Sequence, residues 1–443
     1  MTDKFAGLTQ QQLDSHWMAF SGNRQFKQDP RIITAAEGAY YTDAEGRKIF
    51  DALSGLWTCG LGHSVPEIND AVAQQVKQLD YSPAFQFGHP KAFQLAEKIT
   101  EFMPAGLNRV FYTGSGSESA DTSLKIARAY WRKKGQASKT KLIGRAKGYH
   151  GVNFGGISVG GIGGNRALYG DAVHADHLAH TLIKGNEFTR GLPQSGAELA
   201  DELLEKIALH DASNIAAVIV EPLAGSAGVL PPPQGYLQRL REICDQHNIL
   251  LIFDEVICAF GRMGANTGAE AFGVVPDIIN TAKQLTNGSV PMGAVVVKQE
   301  IYDTFMDNGG PDYMVEMPHG YTYSAHPVAC AAGLAALEVL QRDKLVERVK
   351  ALSPLFEEAV HSLKGSKYVN DIRNFGFAAG FTLEHAPGEP ALRPFQVAMK
   401  MWQKGFYVRY GADTVQLGLP FIVEPEEIDS LVNALGESFN QLD

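Results

Sequence analysis

The chain has 443 residues, 45% of them hydrophobic, enough to bury a large core, and the length suits one big domain with a smaller one attached. A formal net charge of −10 argues against a nucleic-acid surface, which needs clustered Lys and Arg. Cys59, Cys244, Cys258 and Cys330 lie far apart without C-x-x-C spacing, which indicates neither a zinc site nor a disulfide framework. The N-terminus lacks the apolar core of a signal peptide and no apolar run approaches membrane-spanning length, so reduced thiols, no membrane partner and a cytoplasmic location are expected.

The first thirty residues are polar with scattered aromatics (Trp17, Phe20, Phe26) and read as an arm laid over something else. A β-type pattern spans Tyr40 to Asp51, with a turn at Ala44 to Gly46. The glycine-rich S-G-L-W-T-C-G-L-G-H (Ser54 to His63) carries Trp57, readable either as a packing plug or as the wall of a pocket. From Pro66, Ile68, Val72, Val76 and Leu79 recur at helical spacing. Arg109 to Thr113 then reads as a strand, Gly114 to Ser119 as a tight turn, and a helix follows with Ala120, Leu124, Ala127 and Trp131 on one face. Free backbone N–H groups and the helix dipole converge at such a junction, making an anion site. It lacks the G-K-[ST] ending of a P-loop, and Ser119 stands where a dinucleotide fingerprint wants its third glycine. A single phosphate suits it better, although Gly and Ser also serve merely to turn and cap.

Lys141 to Arg145 is another short strand, ending near Tyr149, His150 and Gly151. The segment Gly155 to Gly164 has no period and is expected to be an irregular surface loop. A helix over Ala197 to His210 precedes the strand Ile215 to Val220, which runs into Glu221-Pro222; the helix Tyr236 to Gln246 follows. Next comes I-L-L-I-F-D-E-V (Ile249 to Val256), an apolar run ending in two acids, and then D-I-I-N-T-A-K-Q (Asp277 to Gln284), which ends on a lysine. Parallel strands buried on both faces read as continuous apolar runs, and ligands bind beyond their carboxyl ends. Asp254 and Lys283 are therefore expected on one sheet edge. An acid and an amine facing one site are what pyridoxal phosphate requires: the amine binds it covalently and the acid keeps its ring nitrogen protonated. With Gly293 to Val297, strands near 110, 142, 217, 251, 279 and 295 alternate with crossovers, predicting a mainly parallel α/β sheet. The polar and aromatic H-G-Y-T-Y-S-A-H-P (His319 to Pro327) leads into a helical region from Val328, interrupted before Asp343 and Pro354. Strand patterns at Phe377 to Leu383, Tyr407 to Tyr410 and Val415 to Leu419, with a final helix from Glu426, predict a smaller α+β domain joined by the N-terminal segment.

Taken together and in order, G-S-G-S-E (Gly114 to Glu118), G-Y-H-G (Gly148 to Gly151), E-P-L-A-G-S-A-G-V (Glu221 to Val229), F-D-E-V (Phe253 to Val256), T-A-K-Q-L-T-N-G (Thr281 to Gly288) and H-G-Y-T-Y-S-A-H-P resemble the fold-type I pyridoxal phosphate enzymes, specifically the class III aminotransferases. Within them the chain looks like the ω-amino acid:pyruvate (β-alanine–pyruvate) subgroup. The resemblance implies an arm and part of a small domain over 1–65, a large cofactor-binding domain over 66–327 and the rest of the small domain over 328–443. It implies that Lys283 carries the cofactor, Asp254 pairs with the ring nitrogen, and Tyr149 and Val256 cover the two ring faces. Gly116 and Ser117 would bind the phosphate, Glu221 would hydrogen-bond near the cofactor, and Thr322 would reach the phosphate of a neighbouring subunit in a homodimer or homotetramer. Trp57, Arg409 and Gln416 would contact the substrate's carboxylate end, and the substrates would be small amines and keto acids. Two departures stand out: Gln284 follows the lysine where glycine is common, and Ser119 follows Glu118 where alanine is common.

Each residue has a plainer reading. A lysine is usually a solvated charge, Asp254 could be a structural acid at a strand end, and Arg409 could be a salt-bridging edge residue. His150, His319 and His326 lack metal-ligand spacing and suit supporting hydrogen bonds. An aminomutase or decarboxylase would share fold and cofactor, and a non-catalytic phosphate-binding protein would have no use for Lys283.

Overall fold

In the computed structural model, which describes residues 4–443, the two most apolar runs become strands buried at every position, Ile215–Val220 and Leu250–Asp254. They lie inside a seven-stranded sheet whose spatial order is Leu107–Thr113, Gly293–Lys298, Ile278–Thr281, Leu250–Asp254, Ile215–Val220, Lys141–Arg145, Ala175–Leu178. Gly293–Lys298 runs antiparallel to both neighbours, and the other six strands share one direction. The edge strand Ala175–Leu178 was not expected, because A-D-H-L has no apolar run. Side chains alternate between two cores, as the pleat requires. Ile219, Ile252 and Val295 meet Leu124, Ala127 and Trp131 of the helix Gly116–Lys133. Val218, Phe253 and Val296 face the larger core.

Two smaller sheets bring the chain ends together. Ile33–Glu37, Tyr40–Asp43 and Lys48–Asp51 form one with Phe406–Tyr407, which pairs parallel to Phe50 and Asp51. Val369–Phe375, Ala378–Leu383, Thr414–Gly418 and Arg409–Gly411 form the other. The single strand expected over Tyr407 to Tyr410 is thus divided at Val408, with Tyr407 in one sheet and Arg409 in the other. Before them lie the short helices Gln10–Ser15 and Asn23–Gln28, with Trp17 and Phe20 exposed.

Three local expectations are corrected. The segment Gly155 to Gly164 is not an irregular loop: Phe154–Val159 and Gly163–Tyr169 are helices. Ile157 and Val159 are buried, and Gly156 N donates to Asp121 Oδ1 at 2.9 Å. Tertiary contacts there outweigh the roughly 1 kcal/mol that each helical glycine costs. Pro354 does not interrupt its helix, which runs Leu345–His361, because it sits on the exposed side while Val349, Phe356 and Val360 anchor the buried one. In the helix Pro66–Gln78, Val76 faces solvent and Gln75 is buried instead, its side chain donating to Leu79 O at 3.0 Å.

Gly144, in the strand Lys141–Arg145, shows how closely the first of those glycine-bearing helices packs: a Cβ there would lie 1.8 Å from the Val159 carbonyl oxygen. Gly144→Ala should therefore destabilise the fold by about 2 kcal/mol or more, read as a lower denaturation midpoint at unchanged slope; an unchanged midpoint would show that the helix yields freely.

Candidate active site

The shared strand direction brings several carboxyl ends to one edge. Asp254 closes its strand, Glu221 directly follows another, Lys283 lies two residues beyond Ile278–Thr281, and Tyr149 and His150 follow Lys141–Arg145. The turn before Gly116 follows Leu107–Thr113. Together they line a cavity, partly open to solvent, whose walls include Gly116, Ser117, Tyr149, Glu221, Asp254, Val256 and Lys283. Eight residues are expected from sequence to contact the cofactor, and these seven of them converge here.

Of the two acids ending the apolar run, only Asp254 faces the cavity. Its Oδ2 lies 2.8 Å from His150 Nδ1, and its Oδ1 accepts from Val256 N at 3.2 Å. Glu255 turns the other way, as alternation demands. It accepts from Gly268 N and, at 2.8 Å, from Ala269 N, capping the helix Gly268–Phe272, and burial pushes its carboxyl up to about 7. Glu221 is buried; it accepts from Tyr149 N at 2.9 Å and from Gly225 N at 3.2 Å, and burial raises its pKa.

Lys283 is half-buried, with its backbone in the left-handed region at φ 48°. Burial is the main cause that lowers its pKa from 10.5 to about 8; Asp254 pulls it back up and the positive charge of Arg409 pushes it further down. A substantial fraction of its amine is therefore unprotonated, and hence nucleophilic, near neutral pH.

Opposite stands the start of the helix Gly116–Lys133. Ser115 Oγ caps it by accepting from Glu118 N at 3.2 Å, and Glu118 Oε2 accepts from Gly114 N at 2.6 Å. The first-turn amides of Gly116 and Ser117 have no intrahelical acceptor. Gly116 packs on Val256, where a Cβ would come within 2.9 Å of Cγ1, and Gly151 packs on Ser117, where a Cβ would meet Cα at 2.6 Å. Ser117 Oγ accepts from Val152 N at 3.1 Å. Ser119, one of the two departures, pins this turn to the lysine strand: its hydroxyl lies 2.7 Å from Thr113 Oγ1 and donates to Thr281 O at 3.1 Å.

The remaining candidates lie outside the cavity wall. Arg409 pairs in register with Gln416. Among the described residues its guanidinium has no acidic partner, and its charge acts on Lys283 and Tyr149. Gln416 is buried, its Nε2 3.2 Å from Thr414 Oγ1, and its Oε1 has no hydrogen-bond partner among the described residues. Trp57 is buried against Gly418, where a Cβ would come within 2.4 Å of the indole, and Arg262 lies 5.6 Å from its ring centre. Thr322 is exposed, and its carbonyl accepts from Tyr81 Oη at 3.0 Å.

His150, assigned only a supporting hydrogen bond from sequence, proves to be the direct partner of Asp254, and its Nε2 is buried without a partner among the described residues. Gly151 and Ile257 also line the cavity and were not singled out. The G-Y-H-G motif holds the signal for the first two; Ile257 carries none.

The description "Aminotransferase class-III" matches residues 21–439. The beta-alanine–pyruvate aminotransferase of Pseudomonas aeruginosa is 64% identical over 429 residues, covering 97% of this chain and 96% of that protein. The omega-amino acid–pyruvate aminotransferase of Pseudomonas putida is 59% identical, covering 98% and 97%. Among solved structures, an (S)-enantioselective omega-transaminase from Thermomicrobium roseum is 32% identical with a TM-score of 0.90, covering 97% of this chain and 96% of that one. An amine transaminase from an uncultivated Pseudomonas species, solved in its PLP-bound form, is 33% identical with a TM-score of 0.88, covering 96% and 98%. The chain is an enzyme and belongs to the class III aminotransferases.

Proposed function

We propose that the chain transfers the amino group of an ω-amino acid such as β-alanine, or of a primary amine, to pyruvate, with pyridoxal phosphate as cofactor. The observation that carries the substrate reading is Arg409, a cation without an acidic partner among the described residues, whose field reaches Lys283. An ω-amino acid and pyruvate each bring the carboxylate that a guanidinium fork grips. The names of the two Pseudomonas relatives agree with it.

The residues fit the cofactor. The helix start offers two amides and Ser117 for a phosphate, the cavity offers room for a ring between Tyr149 and Val256, and Asp254 and Lys283 supply an acid and an amine. Pyridoxal phosphate would supply an electron-accepting ring and a carrier for the amino group between half-reactions. Asp254, fixed by His150 and Val256 N, would hold the ring nitrogen protonated. Glu221 would keep Tyr149 in place through its backbone amide.

Lys283 Nζ would hold the cofactor until the donor amine displaces it. The freed Nζ would take the proton from the donor carbon bearing the amino group; the nitrogen would stay with the carrier, and water would supply the carbonyl oxygen with which the donor leaves as an aldehyde or ketone. In the second half the carried nitrogen would replace the keto oxygen of pyruvate, which departs as water, and Nζ would return a proton to C2 to give alanine. Trp57, packed on Gly418 in the strand that carries Gln416, would shape the carboxylate end with Arg409. Thr322, exposed and outside its own cavity, would complete the phosphate site of a second subunit in a homodimer or homotetramer. Among the described residues no helix is long and apolar enough to cross a membrane.

Lys283→Ala should lower turnover about a hundredfold or more while the cofactor is still retained; near-normal turnover would remove the lysine from the chemistry. Capture of pyridoxal phosphate by the cofactor-free protein should rise with pH and reach half its maximal rate near pH 8, where the Lys283 amine loses its proton, whereas an ordinary lysine would place that midpoint near 10.5. Arg409→Ala should cost β-alanine about ten- to a hundredfold in kcat/KM and an uncharged aryl amine far less; equal losses would refute carboxylate recognition.

A further inference from the structure

The other departure from the common pattern, Gln284, has no part in the steps above, yet it and Asn287 are each only 4% exposed. Gln284 Oε1 accepts from Gly60 N at 2.7 Å, and Asn287 Oδ1 accepts from Leu61 N at 3.0 Å. Asn287 Nδ2 donates to Gly62 O at 2.7 Å, and Gln284 Nε2 lies 3.4 Å from Asn287 Oδ1. Two side chains of one turn thus hold three successive residues of the loop that carries Trp57. That loop is fixed on its far side as well. Gly60 O accepts from Phe421 N at 2.7 Å, and a Cβ at Gly60 would meet Gln284 Oε1 at 2.5 Å and the Phe421 ring at 2.6 Å.

The turn itself is held under strain. Lys283 and Asn287 both have left-handed backbones, at φ 48° and φ 51°. A lysine stays there only where its surroundings over-determine it, and the bonds on its immediate neighbour supply that constraint. We infer that Gln284 and Asn287 are positioning residues, which hold the Lys283 backbone in its left-handed conformation and lock it to the Trp57 loop, so that the reacting amine and the substrate-end loop keep one geometry. The inference rests on Lys283 being the reacting amine and not on which amine or keto acid is used. Loss of Gln284 would leave the Gly60 amide buried and unpaired. The turn could then relax, and the amine would move relative to Asp254.

Gln284→Met keeps side-chain volume and removes the bonds. Asn287→Gly removes the side chain while glycine keeps the positive φ without strain. In each holoenzyme the pH at which the bound cofactor's visible absorption changes should shift by about half a unit or more. Turnover with β-alanine and pyruvate should fall about tenfold or more in kcat, with KM changed less than about threefold. An unshifted absorption midpoint in a folded variant would overturn the assignment, whether or not kcat falls, because a merely structural defect lowers activity without moving it. If Gln284→Met fails to fold, Asn287→Gly decides alone. Should the β-alanine reading be wrong, the unsubstituted enzyme will show no turnover, and the absorption midpoint still answers the question.

Discussion

A lysine amine drawn out of water toward an acid is the interaction on which the rest of this molecule depends. Burial weakens the hold of Lys283 on its proton and Asp254 partly restores it, leaving a pKa of about 8. The balance holds only while Asp254 stays aimed at the cavity, and His150 and the Val256 amide fix it there. The sheet's contribution is to end Leu250–Asp254 and Ile278–Thr281 side by side, with Asp254 directly opposite Asn280. Packing on both faces keeps that edge from shifting register, since a one-residue slip would exchange Asp254 for Glu255. Glu255 is meanwhile held elsewhere by the helix it caps.

That certain residues converge on the cavity was legible in the sequence because they terminate buried strands or begin a helix, and both leave local signatures. Asp254, Lys283, Gly116 and Ser117 belong to that class. Other features resisted reading for specific reasons. Glycine hid the helical period of Phe154–Val159, where close approach of Gly155 to Asp121 and of Gly156 to His150 required it. The division between Tyr407 and Arg409 depends on which strands lie alongside, and no local pattern records that. Gln284 grips a loop amide 224 residues away, so its identity looked like a departure without a purpose. Trp57 was ambiguous from sequence because both readings call for an apolar ring; in the fold it is buried against Gly418.

Two parts of the chain thus divide the work. The carboxyl edge of the large sheet presents an acid, an amine and a helix start, which suit pyridoxal phosphate and many reactions equally well. Arg409 and Gln416 stand on paired strands of the C-terminal sheet, and Gln416 shares its strand with Gly418, against which Trp57 packs. Among the described residues the Arg409 guanidinium has no acidic partner, and its charge disfavours the protonated form of Lys283. Under the proposed reading, a substrate carboxylate arriving beside Arg409 would relieve that repulsion.

Nitrogen transfer itself is the most direct measurement. β-Alanine carrying an isotopic nitrogen label, incubated with the enzyme and unlabelled pyruvate, should yield alanine that carries the label one-for-one with pyruvate consumed, without release of carbon dioxide. Unlabelled pyruvate recovered intact beside carbon dioxide, or an isomerised amino acid, would place the chain's chemistry in decarboxylation or amino-group migration and contradict the account.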